Sequence, residues 1–197
     1  MTELRDVPAP GHVDVLETKD EYHGHIIDVV DDALVLKSTG ARMTREYIVH
    51  DDAVAVVPIR HGASGAEVLL IRQYRHPVRT ILWEIPAGLL DVEGEDPRAA
   101  AERELAEEVD MAAGRYEFLA TFFCSPGCST ERLTVFMAED LTHIDTDFVR
   151  QDEEAEITTA WFPLADVLAA VRRGELSSPT LVVGVLAACG RLGVDAA

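Results

Sequence analysis

A chain of 197 residues, 48% of them hydrophobic and 27% charged, has the make-up of a packed globular protein and not of a disordered one. Its length suits one α/β domain with a real core and a small appended element, but not two full domains. The formal net charge of −19 argues against an electrostatic grip on nucleic-acid backbone, which needs clustered Lys and Arg, and implies that an anionic substrate would be met through metal ions.

The chain opens on Thr2, Glu3 and Arg5 with no apolar leader, and its longest apolar run, 181–189, is too short to span a bilayer. A cytoplasmic protein with no membrane partner is expected. Short β-like stretches at 26–30, 34–36 and 47–49, divided by turn signals at Asp31-Asp32 and Ser38-Thr39-Gly40, predict a small leading sheet. Stronger, β-branched strands follow at 53–59, 68–74, 81–85, 118–123, 133–138 and 157–162. Two helices close the chain, 164–173 before Gly174 and 179–192, the second capped by Ser178 with Pro179 at its first position. The interleaving is irregular, so a mixed sheet flanked by helices fits better than a doubly wound parallel one. Cys124, Cys128 and Cys189 are odd in number and the C-x3-C pair has no second pair, so free thiols are expected.

A further helix carries the chemistry. Asp96 can cap it, Pro97 can start it, and Ala101, Leu105 and Val109 repeat at four-residue spacing as a core-facing stripe. With Leu105 at zero, Glu104, Glu107 and Glu108 fall at roughly −100°, −160° and −60°, on one face beside that stripe. Crowded like charges repel unless a cation intervenes, and hard oxygen ligands select Mg²⁺ or Mn²⁺. From the helix alone, a solvated acidic face with Arg98 and Arg103 as salt-bridge partners explains the pattern equally well.

The wider pattern, Gly88-x6-Glu95-x7-Arg103-Glu104-Leu105-x-Glu107-Glu108, resembles the Nudix box, the signature of hydrolases of nucleoside diphosphates linked to another moiety. Two departures stand out. The Gly88 to Glu95 spacing is one residue longer than the common form, consistent with an insertion at Gly94, and Asp110 replaces the glycine that normally follows the helix. Asp tolerates the left-handed conformation of such a cap better than most residues. Arg72-Gln73-Tyr74-Arg75, Trp83-Glu84-Ile85-Pro86-Ala87-Gly88, Arg45-Glu46 and the loop Ser125-Pro126-Gly127 up to Glu131 resemble the ADP-ribose pyrophosphatase subgroup of that family.

The resemblance implies an α+β fold, a Nudix-type α/β/α sandwich with a mixed β-sheet plus a small N-terminal antiparallel sheet. Residues 1–50 would form a β-rich dimerisation segment and 51–197 the hydrolase domain. It also implies Mg²⁺ or Mn²⁺ held by Glu104, Glu108, the Ala87 carbonyl and Glu107. Arg75 would contact the diphosphate, its alternative being a cross-strand pair with Glu84, and Leu89 would line the site. Arg45, Glu46, Pro126 and Glu131 would reach a substrate held by the other subunit of a homodimer. The base that deprotonates water is sought in the acidic run Gln151-Asp152-Glu153-Glu154-Ala155-Glu156, at Glu154 and then Glu153. ADP-ribose is the expected substrate, with another nucleoside-diphosphate sugar such as GDP-mannose, or a non-catalytic nucleotide-sensing module, as alternatives. The seven histidines show no metal-ligand spacing, and Trp161 and Phe162 suit core packing.

Overall fold

The computed structural model describes residues 4–63, 65–146, 148–150 and 155–196. The chain separates into two units, Met1–Asp51 with Ser125–Glu131, and Asp52–Cys124 with Arg132–Ala197.

In the first unit, β1 (Val13–His23), β2 (Ile27–Leu36) and β3 (Arg42–His50) form an antiparallel sheet in the order β1-β2-β3. The expected leading sheet is present, but β1 was not foreseen. Ten of its residues are exposed and its apolar side chains follow no alternation, so periodicity had nothing to detect. Asp31-Asp32 is not a turn: both residues lie inside β2. Asp32 is buried there because Thr18 on β1 and Tyr47 on β3 both donate hydroxyl hydrogen bonds to it, at 2.5 and 3.0 Å. The segment Ser125–Glu131 is stitched to β3. The Ile48 N–H donates to the Cys128 carbonyl (2.8 Å), the Thr130 N–H to the Ile48 carbonyl (3.0 Å) and the His50 N–H to the Thr130 hydroxyl (2.9 Å).

The second unit contains β4 (Ala53–Gly62), β5 (Gly65–Arg75), β6 (Thr80–Glu84), β7 (Ala87–Leu89), α1 (Pro97–Val109), β8 (Met111–Phe123), β9 (Arg132–His143), β10 (Thr158–Pro163), α2 (Leu164–Arg172) and α3 (Pro179–Leu192). Its sheet runs β10-β5-β4-β9-β8, with β6 beside β5 and β7 beside β4. Among the described residues of this sheet, only β4 and β9 pair in parallel, so the sheet is mixed.

The continuous apolar run of β4 reflects burial on both faces. Ala53, Ala55, Val57 and Ile59 pack with Leu164, Leu168, Leu181 and Val185 of α2 and α3, whereas Val54 and Val56 pack with Ala101, Leu105 and Val109 of α1. Helices thus cover the sheet on both sides. On α3, Gly184 permits the close approach: a Cβ there would stand 2.9 Å from Val57 and 3.0 Å from Ile85.

Local rules explain the ends of α1. The Asp96 carboxylate accepts from the Arg98 N–H at 2.9 Å, a cap worth about 1 kcal/mol, and Pro97 occupies the first turn. Fully buried Leu105 anchors the helix with about 2 kcal/mol of apolar burial. Ser178 stands at the N-cap of α3 as expected, but its hydroxyl contacts that of Thr180 at 2.9 Å and makes no cap bond. None of the three cysteines is in a disulfide, and no helix among the described residues is long and apolar enough to cross a membrane.

Candidate active site

The site is built where β7 meets α1. Gly88 lies on β7 directly under Glu104: a Cβ on Gly88 would stand 2.1 Å from the Glu104 carboxyl carbon and 2.3 Å from each of its oxygens. The glycine is therefore required by the space the carboxylate occupies, whatever its backbone angles. One turn further along α1, Glu108 accepts a hydrogen bond from the Ala87 N–H at 2.9 Å. Glu104 and Glu108 are 8% and 6% exposed, which makes them costly charges to hold without compensation.

Arg103 supplies part of that compensation. Its guanidinium donates to Glu104 (2.5 Å), Glu107 (3.3 Å), both oxygens of Glu95 (3.4 and 3.1 Å) and the Leu89 carbonyl (3.2 Å). These bonds, that to Glu95 first, raise its already high pKa further, so it is a permanent cation. The sequence identified Arg103 and Glu95 as members of a pattern; the structure gives them a task. They tie the loop after β7 to the helix face. The extra residue of that loop is absorbed in a turn where the Glu95 N–H reaches the Val92 carbonyl at 3.0 Å, with Gly94 at φ +77°.

Among the described residues, no three Asp, Glu, His or Cys side chains are gathered around one point. Glu104 and Glu107 turn to Arg103, and Glu108 to the Ala87 N–H. The donor set nevertheless fits a hard divalent cation: two buried carboxylates, a third at the rim and only oxygen donors, against a glycine surface with no side chain.

Arg75 forms a fork with Glu84, Nε to Oε1 at 3.0 Å and NH2 to Oε2 at 2.7 Å, and Gln73 adds a bond to Glu84 at 3.3 Å. The cross-strand alternative for Arg75 is thus realised. Its side chain is 43% exposed, so the guanidinium also faces solvent while Glu84 is buried. Glu84 is the residue to which sequence reasoning assigned no site role. Its place three residues before Ala87 was the available signal, but burial of a carboxylate is a tertiary property.

Leu89 is half-buried beside the Arg103 hub. The first unit carries Arg45 and Glu46, exposed on β3, with Pro126 exposed and Glu131 half-buried in the loop bound to that strand. The second carries Arg75, Ala87, Leu89, Glu104, Glu107 and Glu108. Glu153 and Glu154 lie outside the described residues. Among the histidines, His61 bonds Glu139 at 2.7 Å, and the buried Glu139 also binds Arg115. Trp83 and Phe162 meet edge to face with centroids 5.1 Å apart, and Arg60 lies over Trp161 at 4.1 Å.

At the far end of α1, Asp110 takes the left-handed cap position, φ 55° and ψ 42°. Its carboxylate accepts from Arg150 (2.8 Å) and Thr146 (3.1 Å), and the bond from Arg150 holds it below the usual carboxylate range.

Residues 49–180 match the model of the NUDIX domain. The chain is 38% identical to the ADP-ribose pyrophosphatase of Mycobacterium tuberculosis over 75% of this chain and 70% of that one. It is 31% identical to the ADP-ribose pyrophosphatase of Bacillus subtilis over 79% and 80% of the two. A solved structure described as an ADP compounds hydrolase superposes with a TM-score of 0.78 at 23% identity, covering 92% of this chain and 94% of the other, a likeness of fold. The chain belongs to the Nudix family.

Proposed function

We propose that this protein hydrolyses the diphosphate linkage of ADP-ribose to AMP and ribose 5-phosphate, with Mg²⁺ or Mn²⁺. The observation that carries the reading is the pair of buried carboxylates, Glu104 and Glu108, set against Gly88 and the Ala87 N–H on β7. The similarity to two enzymes named ADP-ribose pyrophosphatase supports the substrate.

Glu104, Glu108, the Ala87 carbonyl and Glu107 are the proposed metal ligands. When bound there, the metal would neutralise diphosphate oxygens and lower the pKa of the attacking water. The chain's own residues do the rest. Arg103 keeps Glu104 and Glu107 oriented and holds the Leu89 carbonyl, so the loop lining the site cannot drift from the helix. Arg75, braced by Glu84, offers an always-charged fork to the diphosphate. Water attacks one phosphorus, the bridging oxygen leaves with the other phosphate, and a glutamate takes the water's proton; Glu154 is the proposed base and Glu153 its alternative. Arg45, Glu46, Pro126 and Glu131 are proposed contacts to a substrate held by the other subunit of a homodimer. Three cysteines without a disulfide suit a cytoplasmic setting.

Product analysis with ADP-ribose, GDP-mannose and a dinucleoside polyphosphate tests the reading. AMP and ribose 5-phosphate are expected from ADP-ribose, dependent on added Mg²⁺ or Mn²⁺. No AMP from ADP-ribose, together with rapid release of sugar phosphate from another nucleotide sugar, would overturn it.

A further inference from the structure

Residues directly opposite one another in an antiparallel pair share a face of the sheet, and Glu84 on β6 stands opposite Ile71 on β5. Ile71 packs with Leu105 and Val109 of α1, so Glu84 lies on the α1 side, together with Gln73 and Arg75 two and four residues beyond Ile71. The next residue, Ile85, packs with α2 and α3 on the opposite side, as strand alternation requires. Gly88 faces α1 as well, since a Cβ on it would run into Glu104. Four residues of chain separate Glu84 from Gly88, a span of at most about 14 Å. Glu84, Gln73 and Arg75 therefore share a sheet face with the glycine that makes room for Glu104.

An apolar side chain at position 84 would fill the space without a charge to compensate, so a buried ion pair there is weak evidence of a role in stability. The pair is also lopsided: the Glu84 side chain is 6% exposed and that of Arg75 43%. The carboxylate is the dry, fixed end and the guanidinium the wet one. Glu84 Oε1 accepts from Arg75 Nε and Oε2 from Arg75 NH2, and two parallel bonds fix the plane of a guanidinium where one would leave it free to turn. Gln73, itself buried, donates to Oε2 at 3.3 Å and so holds the carboxylate from a second side. We propose that Glu84 is a positioning residue for substrate binding: held by Gln73, it sets the plane and direction of the Arg75 fork before the diphosphate arrives. This rests on the reading of Arg75 as a diphosphate contact. A long side chain ordered in advance loses less freedom on capturing its ligand, a gain of roughly five- to tenfold in affinity.

Three variants test it in the full chain: Glu84→Gln, Arg75→Lys and the double substitution. Glu84→Gln keeps the size of the side chain but replaces one acceptor oxygen with a donor, which breaks the fork. It should raise KM for ADP-ribose roughly five- to tenfold, with kcat within about twofold of wild type, as expected when an interaction shared by ground and transition states is lost. Mn²⁺ affinity measured by calorimetry should not change. Arg75→Lys keeps the positive charge without the fork and should raise KM by a similar factor. The double variant should lose no more than either single one, because both disable one device. A merely structural role for Glu84 would lower the melting temperature and leave KM alone, and an unchanged KM in folded Glu84→Gln would overturn the proposal. So would a fall in Mn²⁺ affinity or kcat in step with the rise in KM, which would place the effect of Glu84 on the metal-binding helix, and so would additive losses in the double variant. An unchanged KM in Arg75→Lys sinks the reading of Arg75 itself, whereas a rise there without one in Glu84→Gln sinks only the positioning role. If wild-type protein does not turn over ADP-ribose, the functional reading fails first; the same KM ratios, measured on the nucleotide sugar it does turn over, then decide the role of Glu84 separately.

Discussion

Gly88 and Glu104 occupy adjoining space so closely that a single added carbon would stand 2.1 Å from the carboxyl carbon. Gly88→Ala should therefore displace the Glu104 side chain and leave α1 in place, since the helix is anchored on its other face by Leu105. The expected outcome is weaker Mn²⁺ binding in a calorimetric titration and a fall in kcat/KM on the order of 10²-fold. Wild-type metal affinity in the folded variant would contradict the placement of Glu104 among the ligands.

Glu108→Gln separates metal binding from packing. The amide oxygen of glutamine can still accept from the Ala87 N–H, so circular dichroism and melting temperature should stay close to wild type. Activity should fall on the order of 10³-fold, because a neutral amide is a poor ligand for a hard cation. Hydrolysis that survives this substitution at saturating metal would move the metal site off the helix.

Arg75 and Glu84 make a prediction in two parts. Arg75→Gln leaves the buried Glu84 carboxylate with fewer donors, which should lower stability by about 1 kcal/mol after allowance for the solvent exposure of the arginine. If the fork also binds diphosphate, KM should rise on the order of tenfold. A stability loss at unchanged KM would reduce Arg75 to a structural partner of Glu84.

Cys189 sets an alkaline limit. Burial pushes its thiol up to about 11 from an ordinary 9.0. The folded chain keeps this proton where the unfolded chain has released it, so the stabilising contribution is complete below about pH 9 and is lost as pH rises through about 11. Denaturation midpoints should fall more steeply over that window for wild type than for Cys189→Ala. Parallel curves would show that the thiol does not titrate in this way. At neutral pH a thiol reagent should modify exposed Cys128 well before Cys189.

Elements governed by local rules were legible from the residues. Cap, proline and apolar stripe of α1 sit within 15 residues of one another, and the structure has the helix at Pro97–Val109 with the expected buried face. The run from Ala53 was readable because burial on both faces removes polar residues altogether. β1 was illegible because most of its residues face solvent, and Asp31-Asp32 misled because its meaning depends on Thr18 and Tyr47, 14 and 15 residues from Asp32 along the chain.

By itself, then, the sequence determined that a glutamate-bearing helix follows a glycine at box spacing, since helix register needs only neighbours and a 3.6-residue period. Tertiary structure alone decided that Gly88 must lack a side chain because Glu104 fills the place, and that Arg103 gathers Glu95, Glu104, Glu107 and the Leu89 carbonyl. It alone bound Thr130 to β3 across 80 residues, and Arg150 to Asp110 across 40. Such contacts depend on which distant groups remain unsatisfied once the sheet and helices have packed, and no local pattern in the chain encodes that.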